Sequence, residues 1–249
     1  MTDNQQNMQA PVAADPAAQG PKGGFLSSIV DIFADPFKVF ARIDAGLSWW
    51  KPFVLVTAAT MIMSYLTLPL QQKLIELNPR GLSEEALQKT VEGYGKFAPL
   101  GLIMVPIGLI IFYIIAAAVV HLAINIMSSR SNFKKTLSLI SFCGIITIIE
   151  QIISTVVLRM RGVEGVESAA DLKFSLSLAP LVGEGKGLLS AVLQSLSIFQ
   201  IWSYVVLILG IAAIFKISRK AAIIPVLPIW IISILMAWIG GRISSMGMG

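Results

Sequence analysis

The chain has 249 residues, of which 55% are hydrophobic and only 13% charged, with a net charge of +5 and a mean hydropathy of +0.79. A soluble domain carries about 25% charged residues, so this composition excludes a chain with enough polar surface to dissolve. The basic residues lie at the ends of apolar runs rather than in one patch interleaved with aromatics, which argues against a nucleic-acid partner.

Residues 1 to 24, rich in Gln, Ala, Pro and Gly, have almost nothing apolar to bury and are expected to form a disordered tail. No basic segment leads into a short apolar stretch with a small-residue cleavage site, so a cleaved signal peptide is not expected. Residues 25 to 48 form the next region. Leu26, Ile29, Val30, Phe33, Phe37 and Phe40 recur at helical spacing, while Ser27, Asp31, Asp35, Lys38 and Arg42 fall on the other side. Asp35-Pro36 has the form of a cap followed by proline at the first helical position, so two amphipathic helices are predicted. Such helices either pack on the bundle or lie in the membrane interface, and the two are compatible.

Five apolar runs follow, at residues 51–70, 99–127, 136–158, 196–217 and 221–240, each long enough to cross a hydrocarbon layer of ~30 Å. Unpaired backbone groups cannot face lipid, so all five are read as helices. The expected fold class is an all-α integral membrane protein: a bundle of five transmembrane helices in residues 49–249, preceded by an amphipathic interfacial helix. The second run contains Gly101, Pro106 and Gly108 and is expected to be kinked, tilted or extended. Before it, Ser83 is placed to cap a separate short helix from Glu84 to about Tyr94. Trp49 and Trp50 fit an interfacial aromatic belt. The loop after the third run, residues 160 to 195, is glycine-rich and expected to be partly irregular.

Orientation follows from the short loops. Arg130, Lys134 and Lys135 stand in one, and Lys216, Arg219 and Lys220 in the other, with no acid in either. Both are expected on the cytoplasmic side of the inner (cytoplasmic) membrane, which puts the N-terminus inside and the C-terminus outside. Arg159 and Arg161 oppose this assignment, two against six. The six loop cations are also candidate contacts for anionic lipid or a partner, at ~1 kcal/mol each for lipid, although topology alone accounts for them.

Recognisable chemistry is sparse. His121 is the only histidine, so there is no HExxH zinc helix, and G-x-S-x-G is absent. Gly183 to Gly187 has a superficial phosphate-loop look, but Pro180 and Gly187 occupy places that such a loop reserves for Gly and Ser/Thr. Neither cofactor nor metal is expected. Tyr113, Ala117, His121 and Asn125 share one face of the second run, and Gly144, Thr147, Glu150, Gln151 and Ser154 form a polar stripe on the third. Counting outward from the loop between them puts Glu150 opposite Tyr113 and His121 opposite Phe142 and Cys143, with both stripes facing each other or a common cavity. An ionised carboxylate at mid-bilayer costs at least ~2.5 kcal/mol, so Glu150 is read as protonated or partnered. The structural reading is a hydrogen bond to Tyr113 or a neighbouring span; the functional one is a proton or cation relay, or a substrate contact. His121 is read as a packing residue.

Three segments resemble the Yip (Ypt-interacting protein) family in its bacterial form. Asp35-Pro36-Phe37-Lys38-Val39-Phe40-Ala41-Arg42-Ile43 with Trp49-Trp50-Lys51-Pro52-Phe53 resembles the family's opening before the first span. Phe199-Gln200-Ile201-Trp202-Ser203, Gly210 and Ser218-Arg219-Lys220-Ala221-Ala222 resemble its fourth span and following loop. The longer Asp-Pro element and the third-span Gly-Tyr of eukaryotic members are missing, Phe142-Cys143-Gly144 standing in the latter's place. Eukaryotic relatives are associated with Rab-type GTPases, which a bacterium would not supply. The resemblance implies a non-enzymatic scaffold or adaptor that organises partner proteins or lipids at the membrane. A second copy of the chain is left open as a partner. The alternative is a transporter or permease subunit with a polar cavity around Tyr113, His121 and Glu150.

Overall fold

The computed structural model describes residues 23–77, 82–128, 130–165, 176–178 and 187–246, with side chains as far as Ile239. The expected tail up to Lys22 and most of the phosphate-loop-like stretch lie outside these residues. Eight α-helices are present among those described: α1 Phe25–Ala34, α2 Pro36–Asp44, α3 Trp50–Leu77, α4 Glu84–Met127, α5 Phe133–Arg161, α6 Leu188–Gln194, α7 Ile198–Phe215 and α8 Leu227–Met246. Five stretches are long and apolar enough to cross a membrane, namely α3, α4, α5, α7 and Ala221–Ile239. The protein is an all-α multi-span membrane protein.

Local chemistry sets several helix starts. Ser83, Asn132 and Ser197 each turn a side-chain oxygen onto a backbone N–H three residues on, at Ala86, Lys135 and Gln200, satisfying donors a helix start leaves open. Asp35 adopts a non-helical conformation, and Pro36 restarts the chain as α2.

Several boundaries differ from expectation. The first span's helix, α3, runs on to Leu77, seven residues past its expected end. The short helix after Ser83 and the second span are one continuous helix of 44 residues, ~66 Å long and about twice the hydrocarbon thickness. Pro99 and Pro106 lie inside it; a membrane helix tolerates proline because neighbouring groups and local backbone adjustment re-satisfy the freed carbonyl. The last span opens with a single 3₁₀ turn, Ala221–Ile223, and its α-helix starts only at Leu227 and runs to Met246. The loop before α7 contains the seven-residue α6 and a bridge between Ser177 and Ser197.

Helix α5 is the centre of the bundle, packed against α1, α2, α3, α4 and α7. Leu139, Phe142 and Ile146 on it are completely buried. Ser138 Oγ donates to Leu47 O (3.1 Å), and Thr60 Oγ1 to Gln151 Oε1 (3.3 Å), so the first span rises parallel to α5. Ser203 meets Cys143 O and Ser197 meets Glu150, so α7 runs antiparallel.

Close approach depends on two glycines. A Cβ on Gly144 would overlap the Tyr113 hydroxyl, and one on Gly210 would lie 2.5 Å from Leu139 Cδ1 and 2.9 Å from Phe40 Cε1. The Gly210 site is therefore where α2, α5 and α7 meet.

The α1–α2 hairpin is seated on this junction through Ile32, Val39, Phe40 and Ile43, all buried. Arg42 was expected on the polar outer side with Asp31. It is instead 6% exposed, and its Nη1 lies 2.6 Å from Asp31 Oδ2 and 2.9 Å from Ser28 Oγ. The bend at Pro36 turns α2 so that Arg42 folds under α1, a rotation that a single helical wheel over both helices misses.

Two stability outcomes follow from these contacts. Gly210→Ala should lower the unfolding temperature in detergent, at about 1–3 kcal/mol for overpacking, and Leu139→Val should recover part of the loss. Asp31→Asn leaves Arg42 buried without its carboxylate and should cost about 3 kcal/mol, whereas Asp31→Leu with Arg42→Met should be close to neutral.

Candidate functional site

At one end of the bundle α1, α2, the start of α3 and the two short basic loops come together. Lys135 Nζ lies 2.5 Å from Asp44 Oδ1, and Ser128 Oγ donates to Phe215 O at 2.9 Å, joining the two loops. Lys216 ends α7 in a left-handed conformation with φ 55°. Arg130, Lys134, Lys216, Arg219 and Lys220 are exposed. Residues 25–51, 130–135 and 216–220 hold nine Lys/Arg against three Asp, so this end is strongly basic. Leu26, Val30 and Phe37 project outward beside it, 77%, 66% and 48% exposed, on the side of the hairpin turned away from the core.

The intramembrane polar residues do not gather in one cavity. Tyr113 meets Gly144 and packs edge-on against Phe53, ring centroids 5.7 Å apart. His121 stands edge-on to Phe133 at 5.7 Å, its Nδ1 buried without a hydrogen bond. Asn125 Oδ1 accepts from Ser131 Oγ (2.6 Å), Thr147 Oγ1 donates to Gly144 O of its own helix (3.0 Å), and Gln151 accepts from Thr60. Neither Tyr113 nor His121 therefore faces the residue expected from the loop count. The count assumed a symmetric hairpin, but α4 overshoots the start of α5, so the partners of Tyr113 and His121 on α5 shift six to ten residues toward its N-terminus.

Glu150 has a different partner from the expected Tyr113. Its Oε2 accepts from Ser197 Oγ at 2.5 Å, and Ser197 Oγ in turn accepts from Gln200 N. With a lone pair committed to that N–H, the hydroxyl proton points at the carboxylate. A cavity of about 140 Å³ opens beside it, lined by Glu150, Gln194, Ser195, Ser197, Gln200, Ser233 and Ala237. Trp230 Nε1 donates to Ser195 Oγ (3.1 Å), and the Tyr204 hydroxyl lies 3.2 Å from Ser233 Oγ. Four of the five polar companions of Glu150 were missed because Gln194 and Ser195 stand at the end of the expected loop and Ser197 and Gln200 in the first five residues of the fourth apolar run, where a few polar residues pass for an ordinary span boundary. The polar cluster ahead of Gln200 was the available signal.

No solved structure matches the chain. A Bacillus subtilis (strain 168) protein described as "Membrane protein YknW" is 27% identical over 221 residues, covering 88% of this chain and 91% of that protein. The Yip1 domain matches residues 30–240, a span that begins within α1 and takes in the basic end, the α4–α5 hairpin and the Glu150 cavity. The chain belongs to the Yip1 domain family.

Proposed function

We propose that this protein is a non-enzymatic scaffold or adaptor of the bacterial cytoplasmic membrane, which gathers a protein partner or anionic lipid at its basic end. In this reading the N-terminus and both basic loops face the cytosol and the C-terminus lies outside. The excess of Lys and Arg at that end supports the orientation. Membership of a family not known for enzymes supports the non-enzymatic reading.

The observation that carries the proposal is the exposure of Leu26, Val30 and Phe37 on a hairpin that the Lys135–Asp44 pair ties to the basic end. An apolar strip flanked by Lys and Arg suits a surface that offers both apolar area and negative charge, either an anionic membrane face or an acidic, partly apolar partner segment. The other side of the same hairpin is fixed to α5 and α7, so the strip is held at a set position rather than on a free arm.

Deleting residues 1–43 would strip Ile32, Val39, Phe40 and Ile43 from the core, so point substitutions are the sounder test. The triple variant Leu26→Ser, Val30→Ser, Phe37→Ser should fold, and crosslinking co-purification from native membranes should recover a specific partner with the wild-type chain and about tenfold less with the variant. Recovery of the same partner in equal amount, or purification of the wild-type chain with neither a protein partner nor co-purified anionic lipid, contradicts the proposal.

A further inference from the structure

The Glu150 cavity stands apart from the basic end and is independent of the adaptor reading. On α5 the nearest charged residues on either side are Lys135 and Arg159. At 1.5 Å per residue Glu150 lies ~22 Å from the first and ~14 Å from the second, inside a hydrocarbon layer of ~30 Å. The chain that meets it is interrupted. Helix α7 has 18 residues, ~27 Å, and begins at the level of Glu150. The chain reaches α7 from α6, which packs against α8 and whose Leu188 and Leu189 are exposed, through a non-helical break at Ser195 to Ser197. Non-helical backbone at membrane depth is tolerated where it is buried in protein or lines a polar cavity, and interrupted helices of this kind form ion and substrate sites in membrane proteins.

The lining has a defined chemistry. Glu150 contributes a carboxylate; Ser195, Ser197 and Ser233 contribute hydroxyls; Gln194 and Gln200 contribute amides; Ala237 closes one side; and among the described residues no Lys, Arg or His takes part. Oxygen donors around a single negative charge, with no cationic side chain beside it among the described residues, match a hard monovalent cation in charge and donor type. The volume of about 140 Å³ equals about four or five waters at liquid density, enough for one small cation with part of its hydration. Ser197 holds Oε2 from one side, so Glu150 keeps a fixed orientation with its other oxygen free to serve a ligand.

We infer that the cavity at the α6–α7 break binds one monovalent cationic group, either an alkali ion or a primary ammonium, with the Glu150 carboxylate as its counter-ion. The test is thermal unfolding of the purified full chain in detergent while Na⁺, K⁺ or ethylammonium replaces the bulky N-methyl-D-glucamine cation at constant ionic strength. At least one of the three should raise the unfolding temperature saturably by about 2–5 °C, and the rise should vanish in Glu150→Gln. Saturation with Na⁺ or K⁺ alone supports an inorganic ion, and saturation with ethylammonium alone supports an amine such as a lipid headgroup carries. Should Glu150→Gln fail to fold, Ser233→Ala keeps the carboxylate, and its midpoint concentration should rise about threefold or more, as expected for one lost oxygen donor. No cation response in the wild-type chain, an unchanged response in Glu150→Gln, or an unmoved midpoint in Ser233→Ala overturns the inference.

Discussion

Close contact of helices around α5 is the constraint on which the rest of the structure depends. In a bilayer no hydrophobic force drives one apolar helix against another, so association rests on tight van der Waals contact and interhelical hydrogen bonds, both of which need small residues at the crossing points. Helix α5 supplies Ser138, Ser141, Cys143 and Gly144; α4 answers with Ala116 and Ala117, and α7 with Ser203 and Gly210. Gly144 admits the Tyr113 ring, and Gly210 admits Phe40 and Leu139. The lipid-facing sides of α4 and α8, by contrast, carry exposed Leu, Ile and Met that need no partner.

The same crossing fixes what the protein offers at each level. Phe40 reaches Gly210 only because α2 lies across the ends of α5 and α7, and that placement sets α1 with its outward Leu26 and Val30 beside the basic loops. The Asp31–Arg42 pair, largely withdrawn from water, holds the two short helices at one angle. Farther along α5, Glu150 meets α7 at its first turn, where the break from α6 leaves a polar pocket instead of continuous apolar surface. One element thus carries two distinct surfaces, a basic end suited to association and a carboxylate cavity suited to a small cation.

Much of this was legible in the sequence because its signals are long. Apolar runs of about 20 residues have few competing explanations, and the five spans fall where these runs lie. The Asp35-Pro36 break was equally plain, because proline at the first helical position has a local cause. What failed were statements about pairs. The second run reads as starting at Pro99, separate from the short helix after Ser83, yet α4 is continuous from Glu84 through Pro99. Arg42 falls on the side opposite the apolar face by spacing, yet it is buried, because sequence periodicity does not encode the angle between two helices. Glu150 was matched to Tyr113 by counting across one hairpin, a method blind both to the overshoot of α4 and to α7, which arrives from far along the chain. Ser197 was the least accessible, since a hydroxyl that caps one helix and donates to a carboxylate on another has no signature of its own in the sequence.

Labelling sidedness tests most directly the central claim that the hairpin and both basic loops share one end of the bundle. In a Cys143→Ser background, single cysteines would replace the exposed Ser27, Arg130, Arg219 and Gln88 and be treated with a membrane-impermeant maleimide on right-side-out and inverted vesicles. Ser27, Arg130 and Arg219 should label together from one side and Gln88, in the first turns of α4, from the other. Labelling of Ser27 from the side opposite Arg219, or of Gln88 together with Arg130, would contradict the seating of α1 and α2 on the basic end.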